Sequence, residues 1–152
     1  MFSSKAVLAS KNRLVYNAFE ILRGAALCYC VFLYGIEVRY CTGPSMEPTI
    51  QNEDIIVVEK ITRHLDSFRR GDIVVCISPT DPKSAQCKRI LGLPGDILEG
   101  PGYGYQVVPQ GSVWLQGDNF EDSTDSRSYG AVPKGLIVGR AFFKLNKWTW
   151  LQ

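Results

Sequence analysis

The apolar residues of this chain fall into two successive patterns. From residue 12 to residue 34 no proline occurs and Gly24 is the only glycine, so an uninterrupted helix is permitted. After Ile50 the chain changes to short runs rich in valine, isoleucine and aromatic residues, which Gly- and Pro-containing turns separate. These patterns predict one N-terminal helix followed by a mostly β domain, a compact β-barrel or sandwich.

Several runs after Ile50 have the composition of β-strands. They read DIIVVE, GDIVVCIS, CKRILGL, DILEG, YQVVP, SVWLQ and LIVGRAFFKL. Segments of turn composition, such as SPTDPKS and LPGD, connect them, and no second amphipathic helix of convincing length is predicted. We therefore divide the chain into a basic N-terminal segment, residues 1–40, and one domain, residues 41–152.

The N-terminal segment contains the most apolar run of the chain, residues 24–36. That run is shorter than the roughly 20 residues that cross a bilayer, and extending it to residues 18–38 reaches this length. Arg23 then lies inside the span, where its side chain would have to reach the headgroups. A helix packed on the domain is the alternative. The scarcity of polar residues and the preceding basic residues favour a membrane anchor.

A cleaved secretory signal would also place an apolar run near the N-terminus. No small-x-small cleavage pattern separates the run from Pro44, so we interpret the segment as a retained anchor. The first 20 residues are basic and poor in acids, which gives them weak mitochondrial targeting character.

The last twelve residues, AFFKLNKWTWLQ, combine aromatic and basic side chains. Such combinations are typical of a membrane interface, where the rings lie at headgroup level. Packing in the domain core explains Phe142 and Phe143 equally well, so both interpretations stay open for the set Phe142, Phe143, Lys144, Lys147, Trp148 and Trp150.

Composition excludes several classes of function. The formal net charge of +2 over 152 residues, without a dense stripe of Lys and Arg, does not indicate nucleic-acid binding. The five cysteines are irregularly spaced and the chain has one histidine, so neither a zinc site nor a disulfide framework is expected.

The stretch GPSMEPTI, residues 43–50, contains a candidate nucleophile, Ser45. A Ser/His/Asp arrangement would need a histidine base, and the only histidine, His64, lies in a polar link where a solvated role is expected. The sequence around Ser45 matches neither G-x-S-x-G nor S-x-x-K. Ser45 is therefore either a turn residue or a nucleophile with a different base.

Lysine is an alternative base, because a neutral amine can accept a hydroxyl proton. The pKa of the amine must first fall from about 10.4, which burial against apolar groups achieves. Lys88 lies in the strand-like run CKRILGLPGD, and alternation places it on the same face as Ile90 and opposite to Arg89. A strand lysine is more commonly solvated, so the run alone leaves its role open.

A third stretch, GDNFEDSTDSRSYG at residues 117–130, concentrates short polar side chains. It is either a long acidic surface turn or a group that orients a lysine amine through hydroxyls and a carboxylate–arginine pair. Its members are Asp118, Asp122, Ser123, Asp125, Ser126 and Arg127.

Together with RRGDIVV, these three stretches resemble, in this order, the motif boxes of the type I signal peptidase family of Ser/Lys proteases. The resemblance covers roughly residues 20–145 and implies a signal-peptidase-like β domain that hydrolyses peptide bonds through an acyl-enzyme, with no metal or organic cofactor. By position, Ser45 matches the nucleophile, its backbone N–H one oxyanion donor, and Lys88 the general base. The supporting residues that the resemblance implies are Ser123, Asp125, Arg127 and Arg89.

One position departs from the family pattern. Some bacterial members supply a second oxyanion donor from a serine hydroxyl two residues before the nucleophile, and this chain has Gly43 there. Loss of one such donor can lower the rate by about 10²–10³-fold in other enzymes. The sequence identifies no replacement.

Within the family, the small size and single anchor are similar to the mitochondrial branch. That similarity implies a serine endopeptidase of the mitochondrial inner membrane, whose catalytic domain faces the intermembrane space and removes sorting presequences from precursor proteins delivered there. It also implies a heterodimer with a homologous second subunit, and DSR at residues 125–127 resembles one of the two subunit forms. The alternatives are a bacterial-type signal peptidase of another membrane and a catalytically silent partner subunit or binding module.

Overall fold

The structure, a computed structural model, describes residues 3–100 and 104–151, with the side chains of the first helix described at residue 13 and from residue 15 onward. By their internal contacts the residues form two compact units that divide between Gly35 and Ile36. The first unit is one helix and the second is a mostly β domain, which confirms the predicted fold class.

The N-terminal helix, α1, extends from Ser3 to Tyr34. Its part Val15–Tyr34 is long and apolar enough to cross a membrane, so it fits the predicted anchor by length and composition. Arg23 lies within this part and contacts the carboxylate of Glu20, one turn earlier, at 3.4 Å. A paired charge is the usual form in which an ionisable residue is found within a span.

The predicted continuation of the helix to Val38 is wrong. Residues Ile36–Tyr40 form strand β1, which pairs antiparallel with the strand Ile55–Glu59. Ile36, Val38 and Tyr40 are β-branched or aromatic, and these residue types favour strands when a partner strand is available. The apolar run of the sequence therefore contains both the end of a helix and the beginning of a sheet.

Among the described residues, the β domain has ten strands and three short helical segments. The strands are β1 Ile36–Tyr40, β2 Ile55–Glu59, β3 Ile73–Ile77, β4 Ala85–Gly92, β5 Ile97–Glu99, β6 Tyr105–Val107, β7 Ser112–Gln116, β8 Val132–Pro133, β9 Ile137–Lys144 and β10 Thr149–Trp150. The helices are α2 Ile61–His64 and α3 Ser126–Tyr129, with a 3₁₀ turn at Lys134–Leu136. All of the predicted runs form strands, and the strands that the patterns missed are β1, β8 and β10.

The main sheet is antiparallel and has the strand order β1-β2-β9-β3-β4-β7-β8, with β10 paired to β9. It curls into a half-barrel, while β5 and β6 form a separate hairpin. Two apolar clusters fill the domain, and neighbouring residues of β3 contribute to different ones: Val74 to the first, Ile73 and Val75 to the second. Because β3 lies within the sheet and an apolar cluster covers each of its faces, its sequence is a continuous apolar run.

Candidate active site

Ser45 lies in the loop between β1 and β2, at the start of a tight turn. The Glu47 N–H donates to the Pro44 carbonyl at 3.0 Å, and the Ile50 N–H donates to the Met46 carbonyl at 2.8 Å. Met46 and Ile50 are buried in the second apolar cluster. The loop is therefore fixed on both sides of Ser45, whose own side chain stays half-buried.

Gly43 adopts a backbone conformation that other residues rarely take. Its φ is +96°, and its N–H donates to Asn52 Oδ1 at 3.0 Å. A side chain at this φ is strained. A serine at position 43 would therefore be strained in this backbone conformation. Gly43 itself has no hydroxyl that could donate to an oxyanion.

Lys88 occupies an inward position of β4. It is 2% exposed, and Ile90, two residues later, is fully buried, so the predicted alternation is observed. Arg89 pairs with Gln116 at the end of the β4–β7 ladder, so Lys88 lies directly before the first residue of β4 that pairs with β7. Burial lowers the pKa of the Lys88 amine; the Asp125 carboxylate opposes this shift and the Arg127 guanidinium adds to it.

Asp125 is fully buried and is the centre of a hydrogen-bond network. It accepts a bond from the Ser123 hydroxyl at 2.8 Å, from the Gly117 N–H at 3.0 Å, and from two nitrogens of Arg127 at 2.8 Å each. It also accepts the Arg127 N–H at 3.2 Å, which caps helix α3. Burial alone would raise the pKa of Asp125, but these bonds hold that pKa below its usual value.

Gly117 connects this network to the Ser45 loop, residues 41–54 between β1 and β2. A methyl group added at its Cα would overlap the Ser123 hydroxyl oxygen and the Ser45 carbonyl oxygen, so no side chain fits there. Two residues later, the Asn119 N–H donates to the same Ser45 carbonyl at 3.1 Å. The structure thus brings the Ser123 hydroxyl and the Ser45 carbonyl together on the same side of Gly117.

Arg89 has a different partner from the pair Asp125–Arg127. Its guanidinium binds both oxygens of Asp118, at 2.8 and 2.7 Å, and donates to the Gly71 carbonyl at 2.8 Å. Asp118 also hydrogen-bonds to the side chain of Thr49 in the Ser45 loop. Arg89 is therefore linked to the Ser45 loop through Asp118 and Thr49. The sequence contained Asp118 in the polar stretch but did not indicate which basic residue it pairs with.

A cavity of about 310 Å³ lies beside Ser45. Its apolar lining comes from Met46, Ile50, Ile56 and Val75, and the ends of β1 and β4 form its walls. Two thiols also line it, Cys41 and Cys87. Burial raises the pKa of the Cys41 thiol to about 11, and it raises that of Cys87 as well. Both thiols are therefore protonated at neutral pH and are poor nucleophiles compared with an ionised cysteine.

The remaining sequence candidates have no place in this network. His64 is exposed at the end of α2. Within residues 3–100 and 104–151, no group of three or more His, Cys, Asp or Glu side chains could hold a metal ion. The chemical groups that the network contains are a hydroxyl, a buried amine and a carboxylate–arginine pair.

Replacing Gly117 tests this geometry. We expect Gly117→Ala to lower the free energy of unfolding by about 1–3 kcal/mol, because the added methyl group forces the Ser45 loop away from Ser123. Gly135→Ala is the matched control, since nothing lies within 4 Å of a methyl group there, and its effect should stay below about 0.5 kcal/mol. Urea unfolding of the two variants measures both values. Equal effects would contradict the close contact at Gly117.

Known proteins are similar to this chain over the same residues. The family model described as signal peptidase, peptidase S26, matches residues 14–102 and 100–148. Mitochondrial inner membrane protease subunit 1 of Homo sapiens is 49% identical over 146 residues, which cover 93% of this chain and 86% of the human protein. The subunit 1 of Saccharomyces cerevisiae is 35% identical over 137 residues, which cover 78% of this chain and 72% of the yeast protein.

Similarity also extends to a second kind of subunit. Mitochondrial inner membrane protease subunit 2 of Danio rerio is 35% identical over 106 residues, which cover 65% of this chain and 58% of that protein. The family match covers most of the chain and includes the segments that carry Ser45, Lys88 and Asp125. The chain therefore belongs to the signal peptidase family, peptidase S26.

Proposed function

We propose that this chain is a serine endopeptidase of the mitochondrial inner membrane that removes sorting presequences, with Ser45 as nucleophile and Lys88 as general base. Family membership supports a peptidase of the signal peptidase type. The observation that carries the finer proposal is the burial of the Lys88 amine next to the Asp125 network, which itself contacts the Ser45 loop.

The burial of Lys88 supports its role as a base. An ordinary lysine is protonated at neutral pH and cannot accept a proton, whereas burial disfavours the ammonium form and increases the fraction of free amine. Asp125 favours the ammonium form, and Arg127, which binds both of its oxygens, opposes this effect in part. The arginine therefore has an electrostatic role as well as a structural one.

In the proposed reaction the free amine of Lys88 takes the proton of the Ser45 hydroxyl, and Ser45 Oγ attacks the scissile carbonyl. The Ser45 backbone N–H donates to the resulting oxyanion, and among the described residues it has no other acceptor. Protonated Lys88 then gives its proton to the leaving amine, which leaves an ester on Ser45. Water that Lys88 deprotonates hydrolyses this ester and returns the free enzyme.

Ser123 is proposed to position the amine. Its hydroxyl hydrogen is directed to Asp125, so its oxygen lone pairs remain to accept an N–H of Lys88. Asp125 and Arg127 fix the Ser123 hydroxyl. Arg89 binds Asp118, and Asp118 in turn holds Thr49 in the Ser45 loop. These residues act through others and do not touch the reacting atoms in this scheme.

The strands beside the cavity support an extended substrate. β1 is an edge strand of the sheet, so one side of its backbone is unpaired. In β4, the pairing with β7 begins only at Arg89, which leaves the preceding residues of β4 without a partner on that side. A presequence can add as a strand to such open edges, with a small side chain in the cavity next to Ser45.

The names of the relatives support the location and the partner. Relatives at 35–49% identity are called subunit 1 of a mitochondrial inner membrane protease, and a related chain is called subunit 2. We infer that this chain acts with a homologous second subunit, that α1 anchors it in the inner membrane, and that its β domain faces the intermembrane space. Precursors presented at the bilayer would then meet a tethered site at a raised effective concentration.

Substitution of the two central residues tests the proposal. With the second subunit present, Ser45→Ala and Lys88→Met should each reduce cleavage of a sorting-signal precursor by about 10³-fold or more, because either change removes a member of one catalytic unit. Gel analysis of the precursor and the mature product measures the rate. The control is Lys134→Met, which removes a surface lysine paired with Asp66 and should leave the rate unchanged.

Full cleavage by either central variant would contradict the assignment of nucleophile or base. An inactive wild type under these conditions would favour the silent-subunit interpretation. Thermal unfolding separates misfolding from lost chemistry. We expect the Lys88→Met variant to melt no lower than the wild type, because methionine fills a similar volume without a buried amine.

The pH dependence tests the role of Arg127. Activity that needs the free Lys88 amine rises as the pH rises through the pKa of that amine. Because Arg127 lowers this pKa, Arg127→Gln should raise it and move the acidic limb of the pH–rate profile to higher pH. Arg70→Gln is the control, since Arg70 pairs with Asp96 at the surface and should leave the limb in place. A loss of rate without any shift of the limb would contradict the electrostatic role.

A further inference from the structure

Arg39 is a charged residue in the edge strand β1. Its Cα pairs with that of Ile56 in β2, and the side chains of directly paired residues lie on the same face of a sheet. Ile56 is fully buried, whereas the two neighbours of Arg39 in β1 are exposed on the opposite face. The strand therefore directs the Arg39 side chain to the face on which Ile56 is buried.

Arg39 also lines the cavity of about 310 Å³ beside Ser45. Among the described residues that line this cavity, Arg39 is the one with a formal charge, because the thiols of Cys41 and Cys87 are protonated at neutral pH. The potential of the lining is therefore positive. Such a cavity favours a substrate group that carries a negative charge.

The charge of Arg39 is only partly compensated. Its Nε contacts Glu37 Oε1, which lies two residues earlier on the same face of β1. Within the part of the chain that the structure describes, this Nε has no hydrogen-bond partner, so the contact is not aligned for donation. The other oxygen of Glu37 lies 3.0 Å from Lys60 Nζ. Two cations thus share one carboxylate, and two positive charges with one negative charge leave a net charge of +1.

A substrate can reach the Arg39 side chain, which is 40% exposed. Because β1 is an edge strand, an extended peptide can add to its open side and place its own inward side chains next to those of β1. Alternation determines which side chains these are. If the residue that carries the scissile carbonyl, P1, faces the cavity at Ser45, the residue two positions earlier, P3, faces it as well, and P2 faces away.

We propose that Arg39 determines substrate specificity by binding an aspartate or glutamate side chain at P3 of an extended peptide. This inference rests on the proposed function, since P1 and P3 are defined by cleavage at Ser45. A guanidinium binds a carboxylate through charge-assisted hydrogen bonds that are stronger than those between neutral groups. Beside an apolar cavity, water also screens the two charges less than on an open surface.

An inward charge on an edge strand can also have a purely structural use. Such charges prevent edge strands from pairing with other chains, and this use needs no ligand. If edge protection were the use of Arg39, its substitution would cause self-association and would change the cleavage of all substrates alike. The two uses therefore differ in whether the effect depends on the charge of the substrate.

Cleavage of matched peptides tests the binding of an acidic side chain. Soluble presequence peptides carry Asp, Asn or Lys at P3, and a second set carries the same changes at P2. With the second subunit present, kcat/KM of the full-length chain should be about tenfold higher for Asp than for Lys at P3, and equal at P2. The absence of a preference at P3, or an equal preference at both positions, would overturn the proposal.

Charge reversal tests whether the preference comes from Arg39. Arg39→Glu should prefer Lys over Asp at P3, and Arg39→Lys should retain the preference for Asp. Arg39→Gln, which adds no negative charge beside Glu37, should lose the preference. The control is Arg63→Glu, which changes an exposed residue of α2 outside the cavity lining and should retain the preference.

Two results with these variants would contradict the role of Arg39. A preference for Asp that persists in both Arg39→Gln and Arg39→Glu would show that another group binds the carboxylate. Equal losses on all peptides, together with self-association in gel filtration, would show edge protection instead of substrate binding.

A binding measurement separates the failure of this inference from the failure of the proposed function. Fluorescence anisotropy of labelled peptides with an N-methylated scissile bond reports binding without cleavage. If no peptide is cleaved, the proposed function fails, but tighter binding of the Asp peptide than of the Lys peptide, lost in Arg39→Gln, still supports a carboxylate site at Arg39. If the Asp and Lys peptides are bound and cleaved equally, the proposed function stands and the inference about Arg39 is wrong.

Discussion

The burial of the Asp125 carboxylate is the constraint on which the candidate site depends. A buried carboxylate is unfavourable unless hydrogen bonds and an opposite charge stabilise it, and here the partners are Ser123, Gly117 and Arg127. Each partner also relates to another part of the site: Ser123 and the Ser45 carbonyl both lie against Gly117, and the Arg127 guanidinium lowers the pKa of the Lys88 amine. The same interaction that stabilises the loop thus arranges the proposed catalytic groups.

The Asp125 network stabilises the fold, whereas the burial of Lys88 destabilises it. Its side chain is 2% exposed, and a buried amine costs free energy that a methionine of similar volume would not. β4 is paired with β3 along this part of its length, which holds the Lys88 backbone at its inward position. In the proposed mechanism this cost has a function, since the free amine is the form that takes a proton.

Much of the fold could be predicted from the sequence because strand periodicity is local. The alternation in CKRILGL placed Lys88 with Ile90, and the structure has both buried. The end of α1 could not be predicted, because apolar residues continue from the helix into β1 and only the pairing with β2 separates them. The partner of Arg89 and the contact between Gly117 and Ser45 could not be predicted either, because both join residues that are distant in sequence. The β-bulge in β9, where Phe142 is an extra residue, could not be predicted because a sequence pattern does not show which residue of a strand is unpaired.

The central claim of the proposed mechanism is that burial lowers the pKa of the Lys88 amine below that of an ordinary lysine. Its titration can be followed by NMR in protein labelled with ¹³C at the lysine side chains, with the Lys88→Met variant identifying the signal. The account predicts that the Lys88 signal titrates below the ordinary lysine pKa of about 10.4. A Lys88 signal that titrates at or above this pKa would contradict the account.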